Sequence, residues 1–340
     1  MTAASSAPTM ADVAQRAGVS HQTVSRVLND AQAVRPQTRE AVLKAIADLG
    51  YRRNQAARAL VTRRSGLIGV IADELRLYGP ASTVSSVAQA AREAGYGITL
   101  DLLWDVTGSS VAAALEHQLS QAVEAVVLVA VHGELPDADA LRGLSVPVIA
   151  LDGFLGDETP TAGVDHHAGG VMATRHLLDL GHRRIAHITG PADWTQAEAR
   201  QAGFLEALGR VGVEPGPVVT GDWSPRAGYA GCLQIFDEDP STTALFVAND
   251  QMAMGALRAL AEAGRAVPDD VSVVGFDDIP EASFSQPPLT TIRQDFAELG
   301  REAVRLVVGA IGGERLPTTL VPPRLVTRAS SARAPRGRRR

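Results

Sequence analysis

Residues 10–29 read MADVAQRAGVSHQTVSRVLN, two short amphipathic stretches with one glycine between them. Thr9 precedes the first stretch and Asp12 follows three residues later, the spacing of a capping box. Met10, Val13, Ala14 and Ala17 fall at i, i+3, i+4 and i+7, on one face of a helix. Gly18 stops that helix, and Ser20 is placed to cap another after a break of a few residues. Two short helices joined by a glycine-containing turn predict a helix-turn-helix.

The second helix divides by angle. At 100° per residue from His21, the apolar Val24, Val27 and Leu28 lie at about 300°, 240° and 340°. His21, Ser25, Asn29, Gln22 and Arg26 lie between about 0° and 140°. One stripe is therefore for burial and the other for hydrogen bonding. A plain amphipathic surface helix would explain the division but not donors with so few carboxylates. Arg can grip guanine O6/N7 and Gln adenine N6/N7 in a major groove wide enough for a helix, so double-stranded DNA is the expected partner. A third helix follows in RPQTREAVLKAIADLGY, with Val42, Leu43, Ile46 and Leu49 expected inward and Gly50 as its stop. Then comes RRNQAARALVTRRSG, too short to be a stable helix alone. It fits a plain linker, or a segment that folds only on DNA with Leu60 as an apolar wedge in the minor groove.

Charge separates this head from the rest. Residues 1–64 hold ten Lys and Arg against four acids, and residues 328–340 add six arginines and no acid. The remaining stretch carries 16 bases and 34 acids, a net of −18 within a chain of −6 overall. A basic head on an acidic body predicts a polyanion for the head and another kind of ligand for the body. The single cysteine, Cys232, excludes an intramolecular disulfide and fits a reducing compartment. Residues 1–15 lack a basic region followed by an apolar one, and no run approaches the ~18 apolar residues of a membrane span. The expected location is cytoplasmic and nucleoid-associated, with no membrane partner.

From Gly66 onward, short apolar runs alternate with helical patterns. LIGVIA, ITLDLLW, VEAVVLVA, VPVIALD, RRIAHITG, GPVVTGDW, TALFVAND and VSVVGFDD read as buried strands. The alternation means parallel, doubly wound sheets, and eight units exceed one typical open sheet, so two similar lobes are expected. A ligand would sit between them, beyond the carboxyl ends of the strands. Those ends carry Asp73, Asp152, Trp223, Asn249 with Asp250, and Asp277 with Asp278. Asp, Asn and Arg suit paired sugar hydroxyls, because each makes two directed hydrogen bonds, and Trp offers a flat face to a sugar ring. Any one acid at such a place is more often a helix N-cap, and it is the set, with two tryptophans, that points to a ligand.

The N-terminal stretch with TREAVLKAIADLGYRRNQAARAL, and then GDWS, VANDQMAMGALRAL, VSVVGFDD and PPLTTIRQDF, resembles the LacI/GalR family of bacterial repressors, through about Ala329. The resemblance implies a helix-turn-helix headpiece (1–53), a hinge helix (54–65) and a periplasmic-binding-protein-like core (66–330). It places lobe one at about 66–164 and 292–321 and lobe two at about 165–291 and 322–330, with crossovers near Val164, Thr291 and Pro322. Residues 331–340 are expected to be a basic disordered tail. By the same resemblance His21, Gln22 and Arg26 read bases and Leu60 is the wedge. Thr9, Ser20, Thr23, Ser25, Asn29, Tyr51, Asn54 and Ala57 complete the expected DNA-facing set. Asp152, Arg200, Asn249, Asp277 and Gln294 fall on sugar-contacting positions, Trp223 and Phe296 on apolar walls, and Leu77 and Pro80 on the lobe-one lining. Four residues depart from a sugar-responsive member: His21 replaces tyrosine, Asp73 and Trp194 each replace serine, and Asp165 replaces phenylalanine. The last three join the expected effector set and argue for a different or larger glycoside.

The implied function is a repressor, a homodimer on a pseudo-palindromic operator, whose DNA affinity is lowered by a small sugar, galactoside-like or another glycoside. A dimer is expected because the chain lacks C-terminal leucine heptads. A co-repressor that strengthens DNA binding is the alternative within the family. A sugar-binding transport protein would share the body but not the head. No cofactor, metal or catalytic role is expected: His166–His167 has no second ligand group at site spacing, and no G-x-S-x-G, H-E-x-x-H or P-loop is present.

Overall fold

Thr9 opens helix α1 (Met10–Ala17) with both halves of a capping box, and Gly18 closes it at φ 65°. The hydroxyl of Ser20 then accepts from Thr23 N (3.2 Å) at the start of α2 (His21–Asn29). A third helix, α3 (Pro36–Leu49), begins on a proline and ends at Gly50, φ 61°. Val13, Ala14, Val24, Val27, Val42 and Ala45 make one small buried core. The expectation that Leu43 points inward is overturned: it is exposed and Ala45 is buried. At 100° per residue, Leu43 falls about 100° from Val42, outside the stripe that Ala45, Ile46 and Leu49 share with it.

The computed structural model describes residues 8–29, 34–51, 64–73, 75–104, 106–129, 141, 143–153, 159–314 and 316–335. The hinge positions Asn54, Ala57 and Leu60, the side chain of Asn29 and residues 336–340 lie outside the described residues. The chain divides after Ser65 into two compact units, the headpiece and the core.

The core holds two six-stranded sheets of matching topology. In lobe one, β1 (Leu67–Asp73), β2 (Gly97–Leu103), β3 (Ala125–Val129), β4 (Val148–Leu151), β5 (Thr161–Val164) and β11 (Thr319–Val321) lie in the order β2-β1-β3-β4-β5-β11. In lobe two, β6 (Ile185–Thr189), β7 (Val218–Thr220), β8 (Ala244–Val247), β9 (Ser272–Asp277), β10 (Thr290–Arg293) and β12 (Arg324–Val326) lie in the order β7-β6-β8-β9-β10-β12. All pairings are parallel except β10 with β12, which is antiparallel, a departure from purely parallel sheets. It arises because β12 returns directly from lobe one without a helical crossover. Strands β3, β4, β6 and β8 are buried throughout, which is why they read as continuous apolar runs.

Lobe one is covered by α4 (Tyr78–Glu93), α5 (Gly108–Ser120) and α10 (Phe296–Ile311), and lobe two by α6 (His166–Asp179), α7 (Thr195–Gly209), α8 (Pro225–Glu238) and α9 (Asp250–Glu262). The chain passes between lobes at Asp165, after Arg293, and at Pro322–Pro323. The second passage lies two residues beyond the expected boundary, because Ile292 and Arg293 still pair with Phe276 and Asp277 of β9.

The expected disorder of 331–340 is corrected for its first half. Ser330 Oγ donates to Val273 O (2.6 Å), Ala332 N to Ser272 Oγ (3.0 Å) and Ala334 N to Leu180 O (2.9 Å). The buried ring of His182 binds Thr243, Ser272 and the Ala332 carbonyl. The arginine content concealed these small residues, whose backbone extends the hydrogen bonding of β9.

Candidate functional site

The strand ends and first helical turns of both lobes meet in a narrow cleft lined by residues of both lobes. Of the twelve expected effector residues, Leu77, Pro80, Asp152, Trp194, Arg200, Trp223, Asn249, Asp277 and Gln294 line it. Asp152, Trp223 and Asp277 hold φ of 50°, 69° and 115°. Such backbone costs of order 1–3 kcal/mol per residue and, for a tryptophan, persists only where the surroundings enforce it. Gly190 makes the room for the Trp223 ring, for a Cβ there would meet it at 2.1 Å.

Arg200 organises the polar floor. Its guanidinium lies 3.8 Å over the Phe276 ring, donates to Ala248 O, and stands 3.8 Å from Asp277 Oδ1. Nε and Nη2 both point at His166 Nδ1, at 3.4 and 3.3 Å. A guanidinium only donates, so Nδ1 is the acceptor and the His166 proton sits on Nε2. Burial, then the neighbouring Arg200 charge, lowers the His166 pKa and keeps the ring neutral. Nε2 stands 3.4 Å from Asp152 Oδ1 without making a hydrogen bond.

Burial pushes the Asp277 carboxyl up to about 6, against the pull of Arg200 and the hydrogen bond from Gln294 Nε2 (2.6 Å). The raised value means its contribution to stability is full below about 3.8 and is lost as pH rises through about 6. Ligand binding runs the other way, since the ionised carboxylate accepts from hydroxyls. Affinity at pH 5 is expected to be roughly tenfold below that at pH 7.5, as measured by calorimetric titration. A flat profile would remove Asp277 from the contact set.

Three expected residues stay off the cavity. Asp165 is the N-cap of α6, accepting from Ala168 N (2.8 Å). Asp73 is buried at the end of β1. Phe296 opens α10 and packs edge-on against Tyr78 (5.7 Å, 77°), so it supports the wall from behind. The polar pairs at strand ends also split. Asn249 faces the cavity while capping α9, but Asp250 is fully buried, holding Ile279 N (2.9 Å) and the Thr291 hydroxyl (2.6 Å). Asp278 bridges Arg293 and Arg328. Missed lining residues are Tyr78, Gly79, His166, Gln196 and Gln251. All lie in the first turn of a helix, and that position is the signal that could have found them.

Helix α7 brings Arg200 to the floor by close approach to α6. A Cβ at Gly170 would meet Arg200 O at 2.2 Å, and one at Gly203 would meet His167 O at 2.2 Å. Gly203→Ala is expected to cost about 1–3 kcal/mol in denaturant unfolding and to weaken ligand binding by displacing α7. Unchanged stability would mean the helices separate freely.

In the headpiece, His21, Gln22 and Arg26 are exposed, Thr23 and Ser25 half-buried, and Val24 and Val27 buried. The hydrogen-bonding stripe therefore faces outward. Thr9 and Ser20 are engaged as helix caps, and Tyr51 packs against the small core. Among the described residues no group of three or more His, Cys, Asp or Glu could hold a metal ion, and no helix is long and apolar enough to cross a membrane.

A family model described as bacterial regulatory proteins, lacI family, matches residues 9–54, and one for a periplasmic binding protein-like domain matches 174–331. The chain is 37% identical over 325 residues to the lactose operon repressor of Escherichia coli (strain K12), covering 92% of this chain and 89% of that one. It is 38% identical over 335 residues to the HTH-type transcriptional regulator CelR of Thermobifida fusca, covering 94% and 95%. The Lac repressor dimer bound to operator and the anti-inducer ONPF matches with a TM-score of 0.82 at 36% identity, covering 96% and 99%. A CelR–cellobiose complex matches with a TM-score of 0.72 at 35% identity, covering 95% and 100%.

Proposed function

The chain belongs to the lacI family of bacterial regulatory proteins, and we propose that it is a sequence-specific repressor released from its operator by a neutral glycoside bound between the core lobes. The observation that carries the sugar is the cleft floor. Asp152, Asp277, Arg200, Asn249 and Gln294 converge beside two tryptophans, offering donors and acceptors in pairs with flat apolar faces. The Arg200 cation stands 3.8 Å from Asp277 and lies in the field of Asp152, with His166 neutral, an arrangement that disfavours an anionic ligand. A relative seen with cellobiose supports a glycoside.

The DNA reading assigns base contacts to His21, Gln22 and Arg26 on a helix pinned by Val24 and Val27. We assign the second half of a palindrome to a second copy of this chain, as in the Lac repressor dimer. The sugar shifts DNA affinity only by the difference in its binding to two lobe arrangements. Gln196 Nε2, donating to Asp152 O (2.5 Å), is one contact between lobes that such a shift would remake.

The test is selection of bound duplexes from a random-sequence pool, followed by anisotropy of the selected duplex against a panel of neutral sugars and sugar phosphates. Release by a neutral sugar supports the proposal. Strengthened DNA binding would make the ligand a co-repressor, and failure to select any duplex would remove the repressor reading.

A further inference from the structure

The cleft does not end at the Trp194–Trp223 pair. A second, open hollow shares Leu77, Trp194, Trp223 and Gln251 with the first cavity and continues to Arg76, Asp222 and Ser224. The two indole rings are 5.6 Å apart and inclined at 70°, so they present faces in different directions and cannot both lie flat on one sugar ring. Trp223 and Gln251 line both cavities, and Trp223 Nε1 and Gln251 Oε1 are buried polar atoms with no hydrogen-bond partner. One is a donor and the other an acceptor. Buried polar groups are rarely left unpaired, so a ligand between these two residues that supplies one acceptor and one donor would satisfy both once the side chains turn toward it. The bond joining two sugars, with its bridging oxygen and a flanking hydroxyl, brings both together.

We propose that the effector is a glycoside of at least two rings. Its inter-ring linkage passes between Trp194, Trp223 and Gln251, and its outer ring lies over Asp222, Ser224 and Arg76. This rests on the cleft being the effector site. The inner ring takes the Arg200–Asp277 floor. The outer ring keeps one side in water, because Asp222 and Arg76 are exposed. Asp222 is already shaped as an acceptor: its Oδ1 receives Ser224 N (2.8 Å), which orders the turn ahead of α8.

The experiment is calorimetric titration of the full chain with methyl monoglycosides of glucose and galactose and with cellobiose, maltose and lactose. At least one disaccharide is expected to bind about tenfold or more tightly than the monoglycoside of its own inner sugar, the scale of one or two added hydrogen bonds. Asp222→Ala is expected to bring that ratio to within about threefold. Asp222→Asn, which retains the acceptor for Ser224 N, is expected to keep most of it. Binding of a monoglycoside with no gain from any second ring would overturn the proposal and leave the effector site standing. A ratio unmoved in both Asp222→Ala and Trp194→Ala would overturn it as well. If no sugar of either length binds, the effector reading falls and takes this proposal with it.

Discussion

Arg200→Met is expected to weaken sugar binding by about 2–5 kcal/mol, roughly 30- to 5000-fold in Kd, and to abolish release from DNA. The size follows from what the cation leaves behind. Asp277 is buried, already raised to about 6, and Arg200 is the charge that opposes the rise. Asp250, buried nearby, is itself raised well above the usual carboxylate range by burial and by Asp277. Without the guanidinium, Asp277 takes up a proton near neutral pH and becomes a poorer acceptor for a sugar hydroxyl. Ala248 O and His166 Nδ1 lose their donors at the same stroke. Arg200→Met/Asp277→Asn is expected to recover stability relative to Arg200→Met, because the buried carboxyl that loses its cation is gone, yet not to recover binding. The double-mutant cycle separates the two effects. Affinity within twofold of the parent in Arg200→Met would show that the floor does not contact the ligand.

The outward stripe of α2 was legible because helical angle and residue type agreed over nine positions. The doubly wound lobes were legible because buried parallel strands print as apolar runs. Strands β5, β10, β11 and β12 were not, because TAGV, TTIR, TLV and RLV are short and mix small or polar residues with the apolar ones. The site divided along similar lines. Residues at strand ends, such as Asp152 and Asp277, announce themselves by a polar group after an apolar run. His166, Gln196 and Gln251 sit where helices begin, where polar residues are ordinary caps and first-turn residues. Nothing local distinguishes Asn249, which faces the cavity, from Asp250, which anchors Thr291. Their separation depends on the neighbouring strand β10, brought alongside β9 by chain forty residues away. The docked residues 330–335 were hidden in the same way, because the groups that hold them, His182 and Ser272, are distant in sequence.

Arg26→Ala and Gln22→Ala are each expected to cost about 1–3 kcal/mol per half-site, the value of a bidentate base contact. In a symmetric dimer both half-sites lose it, so each single substitution should weaken binding to a palindrome by roughly 2–6 kcal/mol, about 30-fold to more than 10000-fold. Folding gives little reason for such a loss. Both side chains are exposed, and α2 is held by Val24 and Val27 on its opposite face, so the headpiece should keep its helical circular dichroism. Salt separates the possible roles. A base contact, once removed, relaxes preference at one operator position and leaves the salt slope nearly unchanged. A phosphate contact weakens all sequences alike and lowers the slope by about one per contact. Arg16 provides the comparison, since it is exposed on α1 and paired with Asp48 of α3 (3.3 Å). Arg16→Ala should therefore shift affinity little on every sequence. If Arg26→Ala and Arg16→Ala proved equal on both selected and random duplexes, α2 would be no reading helix, and specificity would have to come from elsewhere in the head.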